Sequence, residues 1–220
     1  MLKKILLACG VLSSVLYVGT DLLAAVRYGA YHSFFSQAIS ELGAMGAPTK
    51  PLVDPLFTAY GILLAAFGVG LLASAGGARK LRVIGALLIG IWAAGLLTPA
   101  MHLRGTSNLA GDVPHIMGTA VIVLCILAAV GLGASLFGRG FRLYSWATLA
   151  ILLVSFVLTG ISAGKLAAGQ PTPWLGAVER ANLGAYLLWV AVLAVILLRR
   201  ESAQHRATVD RVGDLRPAAL

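Results

Sequence analysis

Charge is scarce in this sequence. Only 11% of its 220 residues are charged, and eight of them are acidic. Apolar residues make up 59%, and the mean hydropathy is +0.91. A soluble domain needs more polar side chains than this to cover its surface, so the composition favours a lipid bilayer as solvent. The long apolar runs do not alternate with polar residues, which excludes the strands of a membrane barrel.

Cysteine is also scarce. The only two, Cys9 and Cys125, both fall within apolar runs, so we expect no disulfide. Aromatic residues are not interleaved with a basic patch, and we therefore expect no nucleic-acid partner. The formal net charge of +9 instead indicates membrane topology.

Six apolar runs are each close to the roughly 20 residues that a helix needs to cross a bilayer. Helix is the form that satisfies every backbone group inside lipid. We predict an all-α integral membrane protein, a six-helix bundle over residues 1–198, followed by a basic, disordered tail over 199–220. The predicted spans are Ile5–Val26, Pro55–Ala75, Val83–Met101, Pro114–Phe137, Leu143–Gly164 and Val178–Leu198.

Basic residues predict the orientation. With the N-terminus inside, 12 of the 17 Lys and Arg residues lie in the cytoplasm, as the positive-inside rule requires. Both termini are then cytoplasmic, and the three longer connections face outward. The five basic residues on the outer side are Arg27, Lys50, Arg104, Lys165 and Arg180.

The connection between the first two spans contains helical spacing of its own. Ser33 can cap a helix that runs to Leu42, and Gly43 is a natural stop. Apolar residues fall on one face of this segment and polar residues on the other. Ten residues are too few to span, so we predict a short amphipathic helix at the membrane interface.

Polar residues inside the spans converge on the outer half of the membrane. Asp21, His102, His115 and Glu179 are predicted to share an outward-facing pocket and to be catalytic, because an isolated charge at this depth is costly. Asp112 either caps the fourth helix or helps to close the pocket. The residues predicted to bind substrate are Ser40, Glu41, Tyr17, Asn182, Arg180 and Tyr186.

Two histidines with carboxylates fit either of two chemistries. One is a metal-free acid–base pair. The other is a divalent metal site of the zinc type with an open position for water. No HxxxH or HExxH spacing is present, so the metal is left unassigned. A membrane lipid hydrolase or transferase is the enzyme class that would use such a site, and whether the protein is an enzyme is left open.

Three short motifs resemble a known family. They are the segment SQAISELGA at 36–44, Pro114-His115 at the start of the fourth span, and Glu179-Arg180 at the start of the sixth. With the six-span layout they resemble the bacterial membrane family described as domain of unknown function 998, over the chain up to about Leu198. The resemblance implies a multi-pass protein of the bacterial inner membrane. It brings no activity and no catalytic residues.

Three functions compete on this evidence. The favoured one is a protein that binds or processes an amphiphile, such as a lipid or isoprenoid that enters from the bilayer, with the 33–42 helix as a lid. The alternatives are a small proton-coupled transporter, and a structural or partner-binding membrane subunit. The sequence leaves the oligomeric state open.

Overall fold

The protein is all-α, as predicted, in a computed structural model that describes residues 1–31, 33–103, 105–106 and 109–214. Six long helices in the described chain are each long and apolar enough to cross a membrane. The six predicted spans are therefore confirmed. The helices are α1 (Leu2–Arg27), α2 (Lys50–Ser74), α3 (Arg79–Leu97), α4 (Leu109–Gly133), α5 (Arg139–Ala167) and α6 (Leu175–Asp214).

The six helices form a closed ring. Each packs against its neighbours in the sequence, and α1 also packs against α6. Consecutive helices run in opposite directions, so the connections alternate between the two ends of the bundle. Connections 75–78 and 134–138 are at one end, which we call the short-loop end. Connections 28–49, 98–108 and 168–174 are at the other, the long-loop end. Which end faces the cytoplasm stays a prediction.

Trp189 of α6 packs between α4 and α5 towards the short-loop end. Its side chain is fully buried, and its indole Nε1 donates a hydrogen bond to Ser145 Oγ of α5 at 3.0 Å. The ring lies directly against Gly133 of α4, where a side chain would leave it no room. Small residues also let α2 and α3 approach closely, since a Cβ on Gly68 or Gly85 would meet the other residue's carbonyl oxygen at 2.7 Å.

The connection between α1 and α2 differs from its prediction. A short helix is present, but it is a 3₁₀ helix that begins only at Ile39 and ends at Gly43. Ser33 acts in a turn instead, where its Oγ accepts hydrogen bonds from the amides of Phe35 and Ser36 at 3.2 and 3.3 Å. The 3₁₀ helix packs against α1, α2 and α6 with Leu42 fully buried. Tertiary contacts therefore replaced the predicted ten-residue interfacial helix.

The C-terminal end of α6 also differs. The helix does not stop near Leu198 but continues to Asp214, so residues 199–214 are helical where we expected disorder. Two contacts tie its first turn beyond the span to the bundle. Lys3 Nζ lies 2.5 Å from Glu201 Oε2, and the Arg200 guanidinium lies 4.2 Å from the centre of the Phe137 ring. Arg104 and the tail from 215 to 220 lie outside the described residues.

Candidate functional site

A buried ion pair joins α1 to α6 near the long-loop end. Arg180 faces Asp21 along two parallel hydrogen bonds, Nε to Oδ2 at 3.0 Å and Nη2 to Oδ1 at 2.7 Å. The side chains are 18% and 9% exposed, respectively. A bidentate pair of this kind is among the strongest polar contacts in proteins. Each charge makes the other tolerable at a depth where an isolated one is costly.

The remaining donors of Arg180 hold the connection between α1 and α2. Nη1 donates to the carbonyl oxygens of Phe34 and Gln37 at 2.8 and 3.1 Å, and to that of Gly176 at 3.3 Å. Nη2 also donates to the Tyr31 hydroxyl at 2.7 Å. The guanidinium lies 4.5 Å from the centre of the Phe34 ring, within cation–π range. Arg180 therefore fixes Tyr31, Phe34 and Gln37 against the start of α6.

Tyr31 extends this network. Its hydroxyl donates to the Gln37 carbonyl oxygen at 2.6 Å. Burial raises the pKa of Tyr31 to about 12, although Arg180 beside it acts in the opposite direction. The hydroxyl therefore keeps its proton at neutral pH and remains a donor to the connection.

Glu179 binds the same connection through its amides. Its Oε2 accepts a hydrogen bond from the Ile39 amide at 2.6 Å, and the Ser40 amide bonds to the same carboxylate. Glu41 is buried at the start of the 3₁₀ helix and accepts from the Ala38 amide at 3.0 Å. Two consecutive residues of α6 thus bind complementary backbone groups of the connection. Arg180 donates to its carbonyl oxygens, and Glu179 accepts from its amides.

Three of the predicted substrate-binding residues lie deeper and pack inside the bundle. Tyr17 stacks on Phe57 with ring centres 4.7 Å apart. Tyr186 is fully buried in the core. Asn182 Nδ2 donates to the Leu152 carbonyl oxygen at 3.3 Å, which ties α6 to α5.

Of the two predicted catalytic histidines, His102 lies in the connection between α3 and α4, and His115 lies in the second turn of α4. Asp112 Oδ1 accepts from both the backbone amide and the ring Nδ1 of His102, each at 2.8 Å. His115 Nδ1 lies 2.8 Å from the Pro99 carbonyl oxygen. An ionised carboxylate and a carbonyl can only accept, so in each neutral ring Nδ1 carries the proton and Nε2 is an acceptor. Asp112 is therefore a partner of His102 and not a helix cap.

The four predicted catalytic residues fall into two groups. Asp21 and Glu179 lie beneath the 28–49 connection, whereas His102 and His115 lie at the α3–α4 connection. In the described part of the chain, neither histidine makes a hydrogen bond or ion pair with Asp21 or Glu179. The described residues also contain no group of three His, Cys, Asp or Glu side chains that could hold a metal ion. These contacts do not join the four side chains directly, although the Met45 amide of the 28–49 connection donates to the Met101 carbonyl oxygen at 2.8 Å, so the single shared pocket stays a prediction.

Sequence reasoning missed a groove of about 530 Å³ between α5 and α6 at the long-loop end. The two helices are joined lower down by the Trp189–Ser145 and Asn182–Leu152 hydrogen bonds, and the groove lies above these contacts. The one signal in the sequence was the outer segment after Lys165, which contains two prolines and a tryptophan. The lining residues are Ser155, Leu158, Ile161, Ser162, Lys165, Pro171, Thr172, Pro173, Trp174, Ala177, Val178 and Ala181.

The spans and the ion-paired end together define a multi-pass membrane protein. The family model described as "Protein of unknown function (DUF998)" matches residues 11–196. The chain therefore belongs to this family, and the resemblance seen in the three motifs is confirmed. No curated protein and no solved structure matches the chain significantly.

The ion pair gives a direct prediction for stability. Asp21→Asn keeps the shape of the side chain but leaves the Arg180 charge buried without a counter-ion. We expect it to lower the free energy of unfolding by about 3–5 kcal/mol. Asp54→Asn is the matched control, because Asp54 pairs with Lys50 at 2.8 Å where the side chains are 53% and 33% exposed. That variant should lose about 1 kcal/mol or less. Denaturant unfolding in one detergent compares them, and equal losses would contradict the assignment.

Gly176 gives a second prediction. A Cβ there would collide with the carbonyl oxygens of Phe34 and Gln37, the same two that Arg180 binds. Gly176→Ala should therefore displace the connection and lower stability by about 1–3 kcal/mol. Gly184, on the same helix, faces open space, so Gly184→Ala should be neutral or slightly stabilising. Thermal unfolding of both variants in detergent is the test. If Gly176→Ala is as stable as Gly184→Ala, the close docking of the connection is wrong.

Proposed function

We propose that this protein binds an amphiphile, a lipid or isoprenoid, in the groove between α5 and α6. The groove itself carries the proposal. Its volume of about 530 Å³ is in the range of small-molecule sites, and most of its lining is apolar. It lies on the side of the bundle between two membrane-spanning helices, where a ligand can enter while its tail stays in lipid. The predicted orientation would open it to the outer leaflet of the bacterial inner membrane.

This proposal gives the buried charges a supporting role. Asp21, Glu179 and Arg180 bind one another or the backbone of the 28–49 connection, so we infer that they hold the frame of the long-loop end. Asn182 lies next to the lining residue Ala181 and sets the depth at which α5 and α6 meet. A structural role for these residues is compatible with ligand binding next to them.

Acid–base catalysis stays a prediction for His102 and His115. The hydrogen bond between His102 Nδ1 and Asp112 favours this role. The bond orients the imidazole ring and leaves Nε2 as a proton acceptor. Transport has less support. Asp21 and Glu179, the acids that would couple ions, already have partners at the long-loop end.

Trp174 makes the proposal testable. Its side chain is 65% exposed and lines the groove, so a brominated single-chain amphiphile bound there should quench its fluorescence. In nanodiscs of unlabelled lipid, we expect saturable quenching of the emission that Trp174→Phe removes. Ala181→Phe fills the groove from α6 and should abolish the saturable part.

The matched control is Ala93→Phe, which adds the same ring to an exposed position of α3 outside the groove. It should leave the saturable quenching unchanged. Quenching that rises only linearly with the amphiphile, or that Ala181→Phe does not alter, would refute a binding site in the groove.

A further inference from the structure

We propose that the groove selects an anionic phospholipid, and that Lys165 recognises the net negative charge of its head group. This inference rests on the proposed function, since it names the class of amphiphile that the groove would take. Among the described lining residues Lys165 carries the only charge. An apolar groove with a single cation at its mouth complements a ligand with an apolar tail and an anionic head.

Lys165 is also available, unlike the basic residues that form ion pairs. Lys3 pairs with Glu201, Lys50 with Asp54, and Arg180 with Asp21. Within the described chain Lys165 makes no ion pair, and its residue is exposed. An ammonium without an acidic partner, next to an apolar lining, is stabilised when an anionic ligand supplies the missing counter-charge.

The groove is arranged along the axis that such a lipid needs. Lys165 lies in the last turn of α5, just beyond the predicted span that ends at Gly164. Pro171 and Pro173 lie at the same level and restrict the rim, because proline fixes the backbone φ angle. Leu158 and Val178 lie deeper, where an acyl chain would run. The head and tail of a phospholipid would therefore meet charge and apolar surface in the right order.

A simpler role for Lys165 would be to reach the bulk head groups without selecting any lipid. The two roles differ in one measurable property. A selecting lysine makes the groove prefer anionic over zwitterionic lipid, whereas a lysine that only reaches bulk head groups leaves the occupant of the groove unchanged when it is neutralised.

The experiment uses the Trp174 fluorescence signal with two lipids that share the same brominated acyl chains. One is phosphatidylglycerol and the other phosphatidylcholine, each titrated into nanodiscs of unlabelled phosphatidylcholine. We expect the wild-type protein to bind the anionic lipid about fivefold more tightly, the effect of one basic residue near a charged lipid surface. Lys165→Gln should reduce this ratio to about one, and Lys165→Arg should preserve it.

Lys50→Gln is the control, because Lys50 also lies at the long-loop end but outside the groove. It should leave the preference unchanged. Saturable binding of both lipids with equal affinity, or a preference that survives Lys165→Gln, would overturn the anionic selection and leave the amphiphile site standing. Saturable binding of neither lipid would overturn the site and the selection together.

Discussion

The structure depends on one buried pair of opposite charges. Asp21 lies about a turn and a half before the end of α1, and Arg180 meets it from the second turn of α6. Neither charge could lie there alone at an acceptable free energy. Once the pair has formed, the guanidinium still has donors left, and these fix the carbonyl oxygens of the 28–49 connection. Glu179 accepts hydrogen bonds from the backbone amides that follow in the same connection. One turn of α6 therefore closes this side of the bundle.

The contacts that hold the N-terminal part of α6 against α1 also explain why a groove opens on the other side of α6. The N-terminal part of α6 is bound to α1 and to the connection, while α5 is joined to it by hydrogen bonds at Ser145 and Leu152. Within an 18-residue apolar stretch of each helix, 17% of α5 is buried, against 39% of α6, and most residues of α5 from Leu153 to Lys165 are exposed. The upper part of α5 therefore faces surroundings other than the bundle, which leaves room for a lipid. The charged frame and the proposed site are two consequences of one arrangement.

Hydropathy was sufficient to predict the six spans, because length and apolar composition alone decide whether a helix can cross a bilayer. It also placed Asp21, Glu179 and Arg180 at the same end. The contacts themselves were out of reach, since Arg180 and Asp21 are 159 residues apart and the order of helices in the ring has no local signal. The extent of the short helix at Ile39 was mispredicted because its apolar residues pack against α1, α2 and α6, and not against lipid. The partner of His102 was missed because Asp112 also suited a helix cap.

A double-mutant cycle between Asp21 and Arg180 measures how much their contact stabilises the long-loop end. The free energy of unfolding is measured in one detergent for the wild type, Asp21→Asn, Arg180→Gln and the double variant. If the pair holds the long-loop end, the sum of the stability losses of the two single variants should exceed the loss of the double variant. The difference, the coupling energy, should be about 2–3 kcal/mol. A coupling energy near zero would show that the two charges are stabilised independently. The Asp21–Arg180 contact would then not be what holds the long-loop end together.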